Sequence, residues 1–364
     1  MRLEPPSWWY GERIPLAVWA LWPIAAVYGG IVERRFRTAC PYRSKLPVLC
    51  VGNFTMGGAG KTPVALKLAS MLREAGGREP GFLTRGYGGS ERGPYLVDSA
   101  TDGPDRVGDE PLLLARSAPT VVSRDRPAGA KLLETLGVDA IIMDDGFQNP
   151  SLKKDLSVAV VDGGAGIGCE RVFPLGPLRA RLAFQLAMAD AVVILGPQDR
   201  TNVAELIEQR SQQFRSAPLP VFGARIVPAV RDELRGRPFL AFCGIGRPAK
   251  FFDTLREAGI AVVKTRSFPD HHIFSDADAH SLLTEANALN AGLITTEKDR
   301  ARLKIGEGAL GELFRSALAL PIDVAFADGG EGRLSRLMTS LSSRKPLAAI
   351  RDRDDPVRLF CDLG

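Results

Sequence analysis

Residues 55–62, Thr-Met-Gly-Gly-Ala-Gly-Lys-Thr, restrict the fold of this chain more than any other stretch. They follow a short apolar run, Leu46 to Val51, and precede a segment with helical character, Pro63 to Ala75. Strand, glycine-rich turn and helix in that order aim successive backbone N–H groups at one spot. That spot lies before a helix N-terminus, whose dipole favours negative charge. Lys61 adds a full positive charge for the β- and γ-phosphates of a nucleotide, and Thr62 offers a hydroxyl to Mg²⁺. The usual pattern has glycine where this chain has Thr55, but Gly57-Gly58-Ala59-Gly60-Lys61-Thr62 keeps the spacing. Thr55, Met56, Gly57, Gly58, Ala59, Gly60, Lys61 and Thr62 are thus the expected nucleotide-binding residues.

The rest of the body alternates apolar strands with amphipathic helices. That order implies an α/β fold with a mostly parallel sheet and helices on both faces. Strands are expected at Leu46–Val51, Gly81–Thr84, Thr120–Val122, Ala140–Met143, Val158–Val161 and Ala191–Leu195. Residues Val221–Arg237, rich in Arg, Pro and Gly, read as an extended connector. A second α/β pattern starts at Phe239 with strand Phe239–Cys243, turn Gly244-Ile245-Gly246, helix Ala249–Ala258 and strand Ala261–Lys264. A further helix, Asp278–Asn290, and strand, Gly292–Thr296, follow. The expected organisation is an N-terminal membrane anchor (1–36), a P-loop domain (37–220), a linker (221–237), a smaller C-terminal α/β domain (238–341) and a tail (342–364).

The N-terminal segment is set apart by its apolarity. Ile14 to Val32 gives 19 consecutive positions without a charge, preceded by Trp8, Trp9 and Tyr10. As a helix it would span roughly 28 Å, about one hydrocarbon core. Residues 33–45 carry five cations against Glu33, whereas the charges of residues 1–13 cancel. The positive-inside rule then puts the following domain in the cytoplasm. Pro23 and Gly29-Gly30 interrupt the segment, so a spanning anchor and a helix lying in the interface both fit.

Several polar clusters could carry chemistry. Ala140-Ile141-Ile142-Met143-Asp144-Asp145 is an apolar strand ending in two carboxylates, where P-loop folds hold Mg²⁺ or its water. Asp109 and Glu110 stand at a turn into an apolar helix, and as isolated residues they read first as its start, with Asp109 the N-cap and Glu110 and Pro111 in the first turn. His271 and His272 adjoin Asp270 beside Pro269, so a loop histidine could accept a hydroxyl proton there. Arg85, in Thr84-Arg85-Gly86-Tyr87-Gly88-Gly89, and Arg126, in Ser123-Arg124-Asp125-Arg126, suit a phosphate-bearing substrate.

Composition narrows the partners. The net charge of +5 favours anionic ones, but no nucleic-acid-binding module accompanies it, and no nucleic acid partner is expected. The five cysteines, Cys40, Cys50, Cys169, Cys243 and Cys361, show no CxxC pair, which argues against a disulfide framework or a zinc site. A GTPase would carry Asn/Thr-Lys-x-Asp, and neither Glu297-Lys298-Asp299 nor Leu152-Lys153-Lys154-Asp155 meets that pattern.

In combination these stretches resemble the tetraacyldisaccharide 4′-kinase family of lipid A biosynthesis. The resemblance rests on Val51 to Pro63, Thr84-Arg85-Gly86-Tyr87-Gly88, Gly108-Asp109-Glu110-Pro111, Asp144-Asp145-Gly146-Phe147-Gln148, Pro174-Leu175-Gly176-Pro177-Leu178-Arg179, Asp270-His271 and Thr296-Glu297-Lys298-Asp299. Thr55 in the P-loop is typical of that family. The resemblance implies ATP and Mg²⁺ as cofactors and phosphorylation of the 4′-hydroxyl of a tetraacyl disaccharide 1-phosphate, giving lipid IVA. It further implies a glycolipid substrate and the cytoplasmic face of the inner membrane as the place of work. By the same resemblance Asp109 and His271 would be the catalytic pair beside Lys61. Thr62, Asp144 and Asp145 would attend the metal, and Arg85 and Arg126 the lipid. Two departures stand out. Ala180 follows Arg179 where the family often has Glu, and Asn149 follows Gln148 where histidine is frequent.

Overall fold

The computed structural model describes residues 5–342 apart from 12, 198–202, 231, 247, 271 and 304–306. His271 and the tail beyond Ser342 therefore lie outside the described residues.

In chain order the elements are α1 (Trp22–Thr38), β1 (Val48–Gly52), α2 (Lys61–Gly76), β2 (Pro80–Thr84), β3 (Tyr95–Leu96), α3 (Pro104–Val107), α4 (Asp109–Ala115), β4 (Thr120–Val122), α5 (Arg126–Leu133) and β5 (Ala140–Asp144). Then come β6 (Leu156–Asp162), α6 (Leu182–Met188), β7 (Ala191–Leu195), α7 (Val203–Gln212) and β8 (Val221–Pro228). The chain continues through β9 (Phe239–Cys243), α8 (Pro248–Glu257), β10 (Val262–Ser267), α9 (Asp276–Ala288), β11 (Gly292–Thr296) and α10 (Glu297–Arg302). It ends with α11 (Gly308–Ser316), β12 (Ala317–Leu320), β13 (Ile322–Phe326) and α12 (Gly330–Ser342).

Two sheets organise these elements. The larger runs β13-β8-β7-β6-β1-β5-β2-β4-β3, and the smaller runs β10-β9-β11-β12. Every pairing in the smaller sheet is parallel, and the larger is parallel except at its two ends. Strand β1 sits centrally and is buried throughout, because its alternate residues serve different cores. Leu49 and Val51 face α2 with Val64, Leu68 and Leu72, while Val48 and Cys50 join Ile141, Met143 and Leu186 on the opposite face. The smaller sheet repeats the device. Phe239, Ala241 and Cys243 pack on α8, and Leu240 and Phe242 pack on α9 and α11. Continuous apolar strands of this kind are what a sheet covered on both faces demands.

β1 lies between β5 and β6, and the chain builds outward in both directions from it. Ligands of such sheets bind where the order reverses, beyond the carboxyl ends of the strands. The P-loop after β1 and Asp144–Asp145 after β5 both stand at that point.

Two expectations need correction. Val221–Pro228 is not a free connector but strand β8, paired with β7 and β13. Its Gly, Arg and Pro disguise it, yet a strand near a sheet edge tolerates them. Nor do residues 238–341 stay in the smaller sheet. Strand β13 returns to pair antiparallel with β8, and Leu334 and Met338 of α12 join the core around α2. The chain thus crosses between the two sheets twice.

The N-terminal apolar segment divides at Pro23. A 3₁₀ turn spans Leu16–Leu21, and α1 then begins with Pro23 in its first turn, where proline removes no helical hydrogen bond. Leu16–Thr38 includes an 18-residue stretch with a mean hydropathy of 1.5 and is long and apolar enough to cross a membrane. One side of α1 rests on the body. Tyr28 meets Phe173 edge-on, Phe36 meets Phe184, and the buried Glu33 pairs with Arg181. Its other side leaves Trp22, Ile24, Val27 and Ile31 more than half exposed.

Candidate active site

The phosphate cradle is set by β1 and by what presses on the turn behind it. Gly60, with φ of 81°, ends the turn in a left-handed conformation, and a Cβ there would lie 2.3 Å from Leu195 Cδ2. Only glycine serves both needs. Asn53, fully buried, donates from Nδ2 to Gly57 O at 3.1 Å. Gly57 and Gly58 have open space on the side-chain face, as a cradle for a ligand would.

A second strip of chain braces the turn. Met56 N donates to Pro177 O at 2.7 Å, Arg179 N to Phe54 O at 2.8 Å, and Arg179 Nε to Thr55 O at 3.0 Å. Arg179 Nη1 reaches on to Asp145 Oδ1 at 2.9 Å. Gln185 is buried and donates to Phe54 O and Ala180 O, while its Oε1 accepts from Gln148 Nε2 at 2.9 Å. Ala180 is wholly buried, so no carboxylate stands at that position.

The carboxylates after β5 differ in kind. Asp144 is buried, and its Oδ2 accepts from Thr62 Oγ1 at 3.2 Å. Its Oδ1 is buried without a hydrogen-bond partner. Burial first, then repulsion from Glu110, pushes its carboxyl up to about 7 against the pull of Lys61. Asp145 goes the other way. Burial would raise it, but Lys61 at 3.7 Å and Arg179 together hold it below the ordinary carboxylate range. A buried hydroxyl beside a partnerless carboxylate oxygen, at the mouth of an anion cradle, fits a hard divalent cation shared with phosphate oxygens.

The raised value for Asp144 has a testable consequence. Between pH ~4 and ~7 the folded chain retains a proton that an unfolded aspartate has released, so rising pH costs stability through that window. Asp144→Asn should therefore make the nucleotide-free protein more stable than the parent at pH 8, with the advantage shrinking toward pH 5. Thermal melts of both proteins across that range check this. Identical pH dependence would mean that Asp144 ionises normally.

Beyond β2 and β4, two glycine loops face each other. Gly108, with φ of 91°, precedes α4 and its missing side chain admits Tyr87 O, which would lie 2.6 Å from a Cβ. This contact presents Asp109, as the first residue of α4, beside the Arg85–Gly88 loop. Arg85 is exposed. Arg126, by contrast, is buried at the start of α5 and donates to Ser123 O at 2.7 Å. Burial lowers its guanidinium to about 10, partly opposed by attraction to Asp145.

Asp109 is buried against α10 of the smaller sheet. Arg302 Nε donates to its Oδ2 at 3.0 Å, and Arg302 Nη2 approaches the same oxygen. Beside it Lys298 Nζ meets Glu110 Oε1 at 2.8 Å. Burial opposes the ammonium of Lys298, but Glu110 and then Asp109 and Asp144 hold it above its ordinary value. Of the two candidate histidines, His272 is engaged elsewhere. Its Nε2 lies 3.1 Å from Asp278 Oδ2, within the capping box of α9, and its ring stacks on Phe268. Its neighbour His271 lies outside the described residues.

Lys61, Thr62, Asp144 and Asp145 therefore converge at one strand edge, and Asp109 and Glu110 on α4 meet Arg302 and Lys298 of α10. Arg179, Arg302 and Lys298 are contributors that sequence reasoning passed over. Arg179 and Lys298 stood in recognised motifs without a role, and nothing local marked Arg302.

Known proteins resemble this chain over most of its length. The sequence profile of the LpxK family, described as tetraacyldisaccharide-1-P 4′-kinase, matches residues 17–341. A tetraacyldisaccharide 4′-kinase of Methylobacterium nodulans is 47% identical over 349 residues, 94% of this chain and 98% of the relative. One from Methylobacterium radiotolerans is 49% identical over 318 residues, 87% of this chain and 94% of the relative. The crystal structure of the apo form of LpxK from Aquifex aeolicus in complex with ATP superposes with a TM-score of 0.67 at 26% identity, covering 90% of this chain and 99% of that one.

Proposed function

Because the chain belongs to the tetraacyldisaccharide-1-P 4′-kinase family, we propose a division of labour for its residues in that family's reaction. The reaction moves the γ-phosphoryl group of ATP to the 4′-hydroxyl of a tetraacyldisaccharide 1-phosphate, giving lipid IVA in lipid A biosynthesis. The P-loop residues Thr55 to Thr62 enclose the phosphates, with Lys61 matching charge on the β- and γ-positions. Thr62, Asp144 and Asp145 would hold Mg²⁺, which when bound neutralises charge on the phosphate oxygens. With Ala180 in place of an acid, that job falls on fewer carboxylates here. Arg179 keeps Asp145 ionised and ties it to the P-loop backbone. Asp109, with His271, takes the proton of the acceptor hydroxyl. Arg85 and Arg126 draw the phosphorylated lipid toward the cleft, Arg85 by contact and Arg126 from behind the strand ends.

The observation that carries this division is the convergence of Lys61, Thr62, Asp144 and Asp145 at the switch point of the larger sheet. Incubation with labelled ATP, Mg²⁺ and the tetraacyldisaccharide 1-phosphate, with the lipid products separated, tests it directly. Asp144→Asn should lose Mg·ATP binding while the lipid still binds. Unchanged Mg·ATP affinity would remove Asp144 from the metal site.

We also propose that α1 holds the enzyme on the cytoplasmic face of the inner membrane. Support comes from the exposed Trp22, Ile24, Val27 and Ile31, followed by Arg34, Arg35 and Arg37 at its C-terminal end. Deleting the helix would also uncover Phe173 and Phe184, so point changes on the outer face are the cleaner test. Val27→Asp with Ile31→Asp should cut vesicle partition by ~10-fold or more, since each buried charge costs ~2 kcal/mol or above in a bilayer. KM for the lipid should rise and KM for ATP should not. An unchanged lipid KM would leave the helix a purely structural role.

A further inference from the structure

Five charged side chains meet where α4 faces α10: Asp109 and Glu110 from one, Lys298, Asp299 and Arg302 from the other. Arg302, Asp109 and Asp299 are all more than nine-tenths buried. Arg302 uses every edge of its guanidinium. Nε and Nη2 hold Asp109 Oδ2, while Nη1 donates to Asp299 Oδ1 at 2.8 Å and to Gly244 O at 2.7 Å. Asp299 in turn accepts from Gly244 N at 3.1 Å and Thr296 Oγ1 at 2.7 Å. The Gly244 turn lies against the next loop of the smaller sheet. A Cβ at Gly244 would stand 3.1 Å from His272 Cβ and 3.2 Å from Pro269 O, and Phe268 N donates to Cys243 O at 2.8 Å. One arginine therefore touches Asp109 directly and also grips the turn that Pro269 and His272 lie against.

We propose that Arg302 is a positioning residue for phosphoryl transfer: it holds the Asp109 carboxylate and ties it to the Gly244 turn of the smaller sheet, against which Pro269 and His272 pack. This rests on the assignment of Asp109 as part of the proton-accepting pair. The hydrogen bonds support this. Nε and Nη2 both converge on Asp109 Oδ2 and hold that oxygen from two donors of one rigid group. The same guanidinium also donates to Asp299 Oδ1 and Gly244 O, so the position of the Asp109 carboxylate is tied to the smaller sheet. Lysine has no planar fork and cannot serve Asp109, Asp299 and Gly244 O together.

The test measures Arg302→Ala, Arg302→Lys, Asp109→Asn and the double variant Arg302→Ala/Asp109→Asn in the full chain. It uses ATP, Mg²⁺ and the tetraacyldisaccharide 1-phosphate in mixed micelles. Arg302→Ala should lose ~10²-fold in kcat with KM for ATP within about twofold, and Arg302→Lys should recover only part of it. Guanidinium chloride in the tens of millimolar should restore a share of the alanine variant's rate and none of the parent's or of Asp109→Asn. Combined with Asp109→Asn, loss of Arg302 should cost little more, because its target is already gone. An Arg302→Ala enzyme within about threefold of parent kcat, beside an inactive Asp109→Asn, overturns the positioning role alone. So does a loss that multiplies in full on the Asp109→Asn background, which would mark a general brace between the sheets. An active Asp109→Asn overturns the Asp109 assignment instead. Should Arg302→Ala fail to fold, Arg302→Lys decides. A kcat loss of ~10-fold or more at unchanged ATP KM upholds the role, and parent-like kcat ends it.

Discussion

Replacing Lys61 with alanine should lower kcat by ~10²–10³-fold and leave a folded protein. The lysine opens α2 at the phosphate cradle, and its ammonium stands 3.7 Å from Asp145 Oδ1. Its charge is the one side-chain cation of the P-loop itself, aimed where negative charge gathers as the γ-phosphoryl group departs. The fold should survive because Asp145 keeps its bond to Arg179 at 2.9 Å and so is not left as an uncompensated buried charge. A side effect is expected at Asp144, whose carboxyl Lys61 pulls downward. Without the lysine that carboxyl should hold its proton to higher pH, and the optimum for Mg·ATP binding should move the same way. Steady-state kinetics together with circular dichroism check the result. Near-parent turnover in a folded Lys61→Ala protein would show that the turn does not bind the transferred phosphate.

The parts of this site that were legible in the sequence are those made by neighbours along the chain. The P-loop needs glycine at fixed offsets from a strand end, and Gly60 shows why, held left-handed against Leu195. Asp144 and Asp145 could be read as site residues because an apolar strand delivers them to the sheet's carboxyl edge. Strands Thr120–Val122, Ala191–Leu195, Phe239–Cys243 and Gly292–Thr296 lie where the apolar runs place them. What stayed hidden depends on contacts between distant segments. Arg302 pairs with a residue 193 positions away, and Lys298 with one 188 away. No local pattern encodes either. Arg126 stood in a polar turn as a candidate for a phosphate-bearing substrate, yet the fold buries it near Asp144 and Asp145. Strand β8 was concealed for a related reason. Its alternation is broken by Gly223, Arg225 and Pro228, and only the return of β13 gives it a partner on that side. His271 was preferred to His272 on the resemblance alone, and the contact of His272 with Asp278 in the capping box of α9 is another that no local pattern announces.

Changing Asp109 to asparagine should reduce kcat by ~10²–10⁴-fold, the usual range for removing a positioned proton acceptor. His271→Ala should fall in the same range, and the two losses should not multiply. Both side chains serve a single proton transfer in this scheme, so the double variant should be little slower than the worse single one. His272→Ala is the natural comparison. Its ring stacks on Phe268 and its nitrogen caps onto Asp278, so its removal should lower thermal stability more than it lowers kcat. ATP affinity should stay close to the parent's in all four proteins, because the P-loop and Asp144 are untouched. Asp109 belongs to the larger sheet and His271 to the part of the chain that builds the smaller one, so the proposed pair requires the two sheets to lie close, and Arg302 and Lys298 bridge them from α10 to α4. Rapid-quench single-turnover rates separate chemistry from product release and give the cleanest reading. Fully multiplicative losses would reject a shared proton transfer. An Asp109→Asn enzyme that fails chiefly in Mg·ATP binding would move Asp109 from the proton's path to the metal's.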